Sequence, residues 1–117
     1  MNDKVLTLII PSYNMEKYLD RCLSSLVVGK EQMGLFEALI INDGSKDRTS
    51  EIGHSYESSY PDTFRVIDKK NGHYGSCVNR GLAEAKGTFV KVLDADDAFD
   101  TDVFPSFLAF LMQDDIK

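Results

Sequence analysis

Cysteine is scarce in this 117-residue chain: Cys22 and Cys77 are the only two, and they form neither a CxxC pair nor a Cys/His metal spacing. A disulfide scaffold is thereby excluded. Both positions fall on apolar helical faces, where a thiol behaves as a small buried hydrophobe, and the usage fits a reducing, cytoplasmic compartment. No apolar run nears the roughly 20 residues a membrane span needs. Residues 1–4 lead at once into a short one, residues 5–10, so no secretory leader is expected. Positive charge is also in short supply, since 13 Lys and Arg against 19 Asp and Glu leave a net charge of −6. That balance argues against a nucleic-acid surface, which needs clustered cations. It leaves room for a small anionic ligand if a bound cation mediates. The two histidines, His54 and His73, are far apart and lie in no HExxH motif. There is no GxxxxGK[ST] loop, and no GxGxxG follows the first apolar run, whose exit at residues 11–14 has no glycine at all.

What the chain does have is alternation. Residues 5–10 form a nearly continuous apolar run, the pattern of a strand buried on both faces. Pro11 ends it. Met15, Tyr18, Leu19, Cys22, Leu23 and Leu26 then trace one helical stripe, with Asn14 placed as its N-cap and Gly29 and Gly34 bounding the loop beyond. A second buried run, residues 36–41, stops at the turn cluster Asn42-Asp43-Gly44-Ser45. A helix over residues 47–58 is marked by Ile52, Tyr56 and Tyr60, and Pro61 closes it. Residues 64–67 make a third strand, followed by a loop over 68–75. Tyr74, Cys77, Val78, Gly81, Leu82 and Ala85 repeat the helical spacing, and Gly87 stands where a helix ends. Gly81 and Ala85 are small enough for close packing on a sheet. A fourth strand over 88–93 and a helix over 102–112, with Pro105 in its first turn, complete the order β-α-β-α-β-α-β-α. Such alternation predicts one α/β unit: a parallel, Rossmann-like sheet with helices on both faces.

In sheets of this kind ligands bind beyond the carboxyl ends of the strands. Those ends carry Pro11-Ser12-Tyr13-Asn14, Asn42-Asp43-Gly44-Ser45, the loop from Asp68 through Gly72 and His73 to Gly75, and Asp94-Ala95-Asp96-Asp97. Turn chemistry and helix capping account equally well for the first three clusters, and His73 also reads as an ordinary loop histidine. The fourth is different: Asp94, Asp96, Asp97, Asp100 and Asp102 place five carboxylates within nine positions. Asp100 and Asp102 suit the N-terminus of the last helix, where negative charge is favourable. Asp94 and Asp96, two apart at a strand end, can share a side and repel each other unless a cation intervenes. A hard divalent ion held by carboxylates and substrate phosphates, Mg²⁺ or Mn²⁺, matches that donor set.

At these residues the chain resembles the family 2 glycosyltransferases, which share the GT-A fold. The resemblance runs almost the whole length. It rests on Ile9-Ile10-Pro11-Ser12-Tyr13-Asn14, on Ile41-Asn42-Asp43-Gly44-Ser45 with Asp47 and Thr49, on Asn79-Arg80-Gly81-Leu82 with Ala85-Lys86-Gly87, and on Leu93-Asp94-Ala95-Asp96-Asp97. A lone DxD is a weak signal, but four motifs in this order are strong. The resemblance implies that Pro11 to Tyr13 flank a nucleotide base, with Tyr13 packing on its ring, and that Asp43 accepts a hydrogen bond from the base, as for uracil. Asn14, Gly72, His73, Asn79 and Ala95 fall among the implied donor-binding positions. Asp94 approaches the ribose or diphosphate, and Asp96 holds the bridging metal. Many members carry arginine where Val78 stands, so Lys70, His73 or Arg80 is left to meet phosphate.

The reaction so implied is an inverting transfer of a sugar from a nucleoside diphosphate, a UDP-sugar above all, to an acceptor hydroxyl on a glycan or lipid-linked glycan. Family domains are about twice as long as this chain. The chain is therefore expected to be an N-terminal, donor-binding portion, with the general base and the acceptor site in a C-terminal half. It would act in the cytoplasm or at the inner face of a membrane, in cell-surface polysaccharide or glycolipid synthesis. A sugar nucleotidyltransferase would want a basic glycine-rich loop after the first strand. A phosphorylated receiver would want paired acids there. Residues 11–14 offer neither. A donor-binding or interaction half-domain, dimerising through an open sheet edge, is the remaining alternative.

Overall fold

Near-continuous apolar runs give strands that must be covered on both sides, and the sheet is built that way. A computed structural model describes residues 4–100 and 103–113. Strands β1 (Leu6–Ser12), β2 (Phe36–Asp43), β3 (Phe64–Lys69) and β4 (Phe89–Val92) lie parallel in the order β3-β2-β1-β4. Between and after them come α1 (Leu19–Ser24), α2 (Lys30–Met33), α3 (Thr49–Ser59), α4 (His73–Glu84) and α5 (Val103–Leu111). Side chains alternate across the pleat. Leu6, Leu8 and Ile10 of β1, with Phe36, Ala38 and Ile40 of β2, pack with Leu19, Cys22 and Leu23 of α1 and with Phe104, Leu108 and Leu111 of α5. Ile9, Leu39, Ile41 and Ile67 point the other way, toward Cys77 of α4. Each fully buried large side chain here contributes on the order of 2 kcal/mol.

The parallel α/β architecture with helices on both faces is the one the alternation predicts. Gly81 does what its size suggests: a Cβ there would meet Ile9 Cγ2 at 2.5 Å, so α4 lies hard against β1. Local details differ. Asn14 is no N-cap. It sits at φ 52°, and α1 begins at Leu19 without a side-chain cap. The reason lies across the sheet. The Met15 amide donates to Thr49 Oγ1 at 2.8 Å and the Glu16 amide to Asp47 Oδ2 at 3.1 Å, so this turn is tied to the β2–α3 loop rather than wound into the helix. The loop between Gly29 and Gly34 holds the short helix α2. β3 extends to Lys69, shortening the following loop, and α4 begins at His73. Gly87 does not end a helix. α4 stops at Glu84, and Gly87 is where the chain presses on β1, since a Cβ would meet the Thr7 amide nitrogen at 2.5 Å. Asp102, assigned to the start of the last helix, lies outside the described residues.

The topology opens one crevice. β2 and β3 are neighbours, yet the chain leaves β2 for α3 on one face and β3 for α4 on the other. Divergent exits from adjacent strands part the loops at the carboxyl edge, the usual seat of ligands in open α/β sheets.

Candidate functional site

A cavity of ≈ 600 Å³ lies in that crevice. The β1 exit contributes Pro11, Ser12, Tyr13 and Met15, the β2 exit contributes Asp43, Gly44 and Lys46, and the β3–α4 connection contributes Asn71, His73, Tyr74 and Cys77. Pro11 and Ser12 are buried at the base while Tyr13 is 43% exposed, leaving its ring available at the mouth. The wall is shaped by left-handed backbone. Gly44 (φ 71°) and His73 (φ 72°) line it, and Asn14 (φ 52°) adjoins it. For Gly44 the conformation and the space agree: a Cβ would approach the Asn71 amide nitrogen to 2.9 Å.

Asp43 organises the floor. It is 3% exposed. Its Oδ1 accepts from Lys69 Nζ at 2.9 Å and from the Gly72 amide at 2.8 Å, and its Oδ2 accepts from the His73 amide at 2.9 Å. Asn71 Nδ2 donates to the Asp43 carbonyl at 2.9 Å. Burial pushes the Asp43 carboxyl up, but the Lys69 ammonium and the two amides outweigh it, and the group lies below its ordinary value. It is an ionised, fixed acceptor. A carboxylate offers about four acceptor sites, and three are taken here. The Cys77 thiol, also in the cavity wall, adds a further, weak hydrogen bond to this carboxylate.

The acidic cluster stands beside the cavity rather than in its wall. Asp94, Asp96 and Asp97 are exposed, and one oxygen of each lies within 4.8 Å of the others. A bridge to the cavity exists in Tyr74, whose ring lines the wall and whose hydroxyl donates to Asp94 Oδ1 at 3.4 Å. Asp97 is counted among the five carboxylates of the sequence but not with the expected ligands Asp94 and Asp96. The Asp97 amide donates to the Asp94 carbonyl at 2.9 Å, and that turn brings its carboxylate back to the pair. Beneath them, burial and then the charges of Asp97 and Asp96 push the Cys22 thiol up to about 12.

Of the residues singled out in the sequence, Pro11, Ser12, Tyr13, Asp43 and His73 come together in the wall. Gly72 acts one step back, through its amide on Asp43. Asn14 holds the neighbouring loop, its Oδ1 accepting from the Lys46 amide at 2.8 Å. Ala95 is buried in the core, and Asn79 is exposed on α4 outside the wall. Among the three residues proposed for phosphate, His73 lines the cavity, whereas Lys70 does not and Arg80 is paired with Glu84 at 2.9 Å. Lys46, a turn residue without a motif, lines it instead.

The comparisons with known proteins agree with this fold. Residues 7–116 match Glycosyl transferase family 2. The chain is 37% identical over 110 residues to the Uncharacterized glycosyltransferase MG025 homolog of Mycoplasma pneumoniae, covering 92% of this chain and 36% of the relative. It is 33% identical over 107 residues to the Minor teichoic acid biosynthesis protein GgaB of Bacillus subtilis, covering 89% of this chain and 12% of that protein. The crystal structure of S. aureus TarS residues 1–349 superposes with a TM-score of 0.80 at 30% identity, over 92% of this chain and 32% of that one. TarS has also been crystallised with UDP-GlcNAc and with UDP. The chain thus spans about a third or less of the length of these relatives. Its match to the family extends over nearly every residue, and the chain belongs to the family 2 glycosyltransferases.

Proposed function

We propose that this chain is the donor-binding portion of a glycosyltransferase that takes its sugar from a nucleoside diphosphate, UDP before others, and passes it with inversion to a hydroxyl on a glycan or lipid-linked glycan. The observation that carries the reading is Asp43, a buried, ionised carboxylate at the floor of the cavity, where beyond Lys69 and two amides only the weakly donating Cys77 thiol meets it. An imide N–H such as that of uracil is a stronger donor to this carboxylate than the thiol. Tyr13 at the mouth offers a ring face to the base, and Lys46 and His73 offer donors to a diphosphate. The likeness to TarS, crystallised with UDP-GlcNAc, supports the choice of nucleotide.

The carboxylates of Asp94, Asp96 and Asp97 fit a hard divalent cation, because they supply three oxygens of the type Mg²⁺ and Mn²⁺ prefer, close enough to converge. Such an ion, when bound, offsets negative charge on the departing diphosphate. Tyr74 would orient Asp94 toward the cavity side. The base that takes the acceptor proton and the acceptor site are assigned to the region beyond this chain in the longer relatives. A role in cell-surface polymer synthesis accords with the likeness to GgaB.

The test is calorimetric titration with UDP, with and without Mn²⁺, on the chain and on Asp96→Ala. Asp96 is exposed, so its loss should leave the fold intact. Expected is metal-assisted binding that the variant loses. A folded chain that binds no UDP under either condition would refute the donor site. Equal binding with and without metal would refute the cation.

A further inference from the structure

Behind the β2–α3 wall of the cavity a chain of hydrogen bonds runs out to the surface. Asp68, on β3, accepts from Asn42 Nδ2 at 2.8 Å and from Ser50 Oγ at 2.9 Å through Oδ1, while its Oδ2 meets His54 Nε2 at 2.8 Å. Asn42 Oδ1 in turn accepts from the Ser45 amide at 3.2 Å. Ser45 Oγ accepts from the Asn14 amide at 2.9 Å, and Asn14 Oδ1 accepts from the Lys46 amide at 2.8 Å. The last links fix the two segments that flank the cavity at Tyr13 and at Gly44 to Lys46.

The direction of this chain is set at Asp68. A carboxylate can only accept, so it compels Asn42 to present its NH₂ group to β3 and its oxygen to Ser45. Turned over, the amide would face the Ser45 N–H with a donor. Asn42 is 6% exposed, and burial makes such a clash costly. We propose that Asp68, clamped by His54, is a positioning residue for the donor cavity. Through Asn42 it holds the Gly44–Lys46 wall and the Asn14 turn in the shape that receives the nucleotide. This rests on the donor reading given above.

His54 makes the device sensitive to pH. Its Nδ1 faces Glu57 Oε1 of its own helix at 2.8 Å, while its Nε2 faces Asp68 of β3. Asp20 of α1 is engaged by the Tyr56 hydroxyl, and no other charged side chain on α1, β2 or β3 bonds to the ring among the described residues. Neutral imidazole has one N–H for two carboxylates, so both contacts are satisfied only by the imidazolium. The hydrogen bonds to Asp68 and Glu57 accordingly raise the His54 pKa above its ordinary value.

Two measurements test this. In ¹⁵N spectra of the free chain from pH 5.5 to 8.5, the Ser45 and Lys46 amides should titrate with the His54 imidazole midpoint and lose that step in His54→Gln. In calorimetry at pH 6, Asp68→Asn should weaken UDP binding roughly three- to tenfold, the effect of one hydrogen bond, with its thermal midpoint near that of the parent. The parent should bind UDP less well above the His54 midpoint, and His54→Gln should lose that difference; the titration of UDP itself is common to both. Unchanged UDP affinity in Asp68→Asn, while Asp43→Asn abolishes binding, overturns the positioning role and leaves the donor reading standing. If the parent binds no UDP at all, the donor reading fails. The relay is then judged on the amides alone: co-titration with His54 supports it, and silence overturns it.

Discussion

Asp43 shows how much one carboxylate can hold. It closes a salt bridge with Lys69 at 2.9 Å while anchoring the amides of Gly72 and His73, so the floor of the cavity and the start of α4 depend on its charge. Replacing it by Ala leaves the half-buried Lys69 ammonium without its anion, and a cost of roughly 3 kcal/mol is expected from chemical denaturation. Because its folded pKa lies below the ordinary carboxylate value, its contribution is complete above the unfolded pKa and is lost as pH falls through the folded one. Unfolding free energies measured from pH 6 down to pH 3 should therefore decline in the parent and decline less in Asp43→Asn. The thiols behave differently. Cys22, held at about 12, is expected to resist alkylation at pH 8 in the folded chain and to react once denaturant is added, as mass spectrometry would record.

At the scale of elements, α4 does the positioning. It begins on His73, whose amide is bound to Asp43, and it lies flat on the sheet because Gly81 admits Ile9. Gly81→Ala places a methyl 2.5 Å from Ile9 Cγ2, backed by the strand. The expected result is a destabilisation of about 2 kcal/mol, and UDP affinity falling with it as the N-terminus of the helix shifts; a variant as stable as the parent would mean that α4 has slack. In α3 a Cβ at the comparable position, Gly53, would meet Val66 Cγ2 at 2.9 Å, a milder contact with the end of one side chain. There Ala should cost less.

For the whole molecule the decisive features are the crevice at one end of the sheet and the edge at one side. β4 pairs with β1 alone among the described strands, and Val90 on it is 42% exposed, as Leu82 on α4 is 53%. An uncovered edge of this kind recruits other chains. Light scattering at rising concentration is expected to show self-association, with Val90→Lys shifting the chain toward monomer. A monodisperse monomer at high concentration would exclude the dimer. No helix among the described residues is long and apolar enough to cross a membrane.

The sequence by itself determined the parallel α/β order, because runs such as residues 36–41 bury on both faces and each helical stripe has one apolar side. It also determined which loops meet at the carboxyl edge, since parallel strands put every such loop at the same end. Local signals failed where distant partners won. Asn14 has the chemistry of an N-cap, yet Thr49 and Asp47 claim the donors around it, and Asn14 serves Lys46 instead. Lys46 and Lys69 carry no motif, and only folding brings one to the cavity wall and the other to Asp43. His54 lies in no motif and is exposed, and its two carboxylate partners sit 3 and 14 positions away. Periodicity reports burial, a one-body property of each residue. Hydrogen-bond partners across the sheet are two-body facts, and the tertiary structure alone decided them.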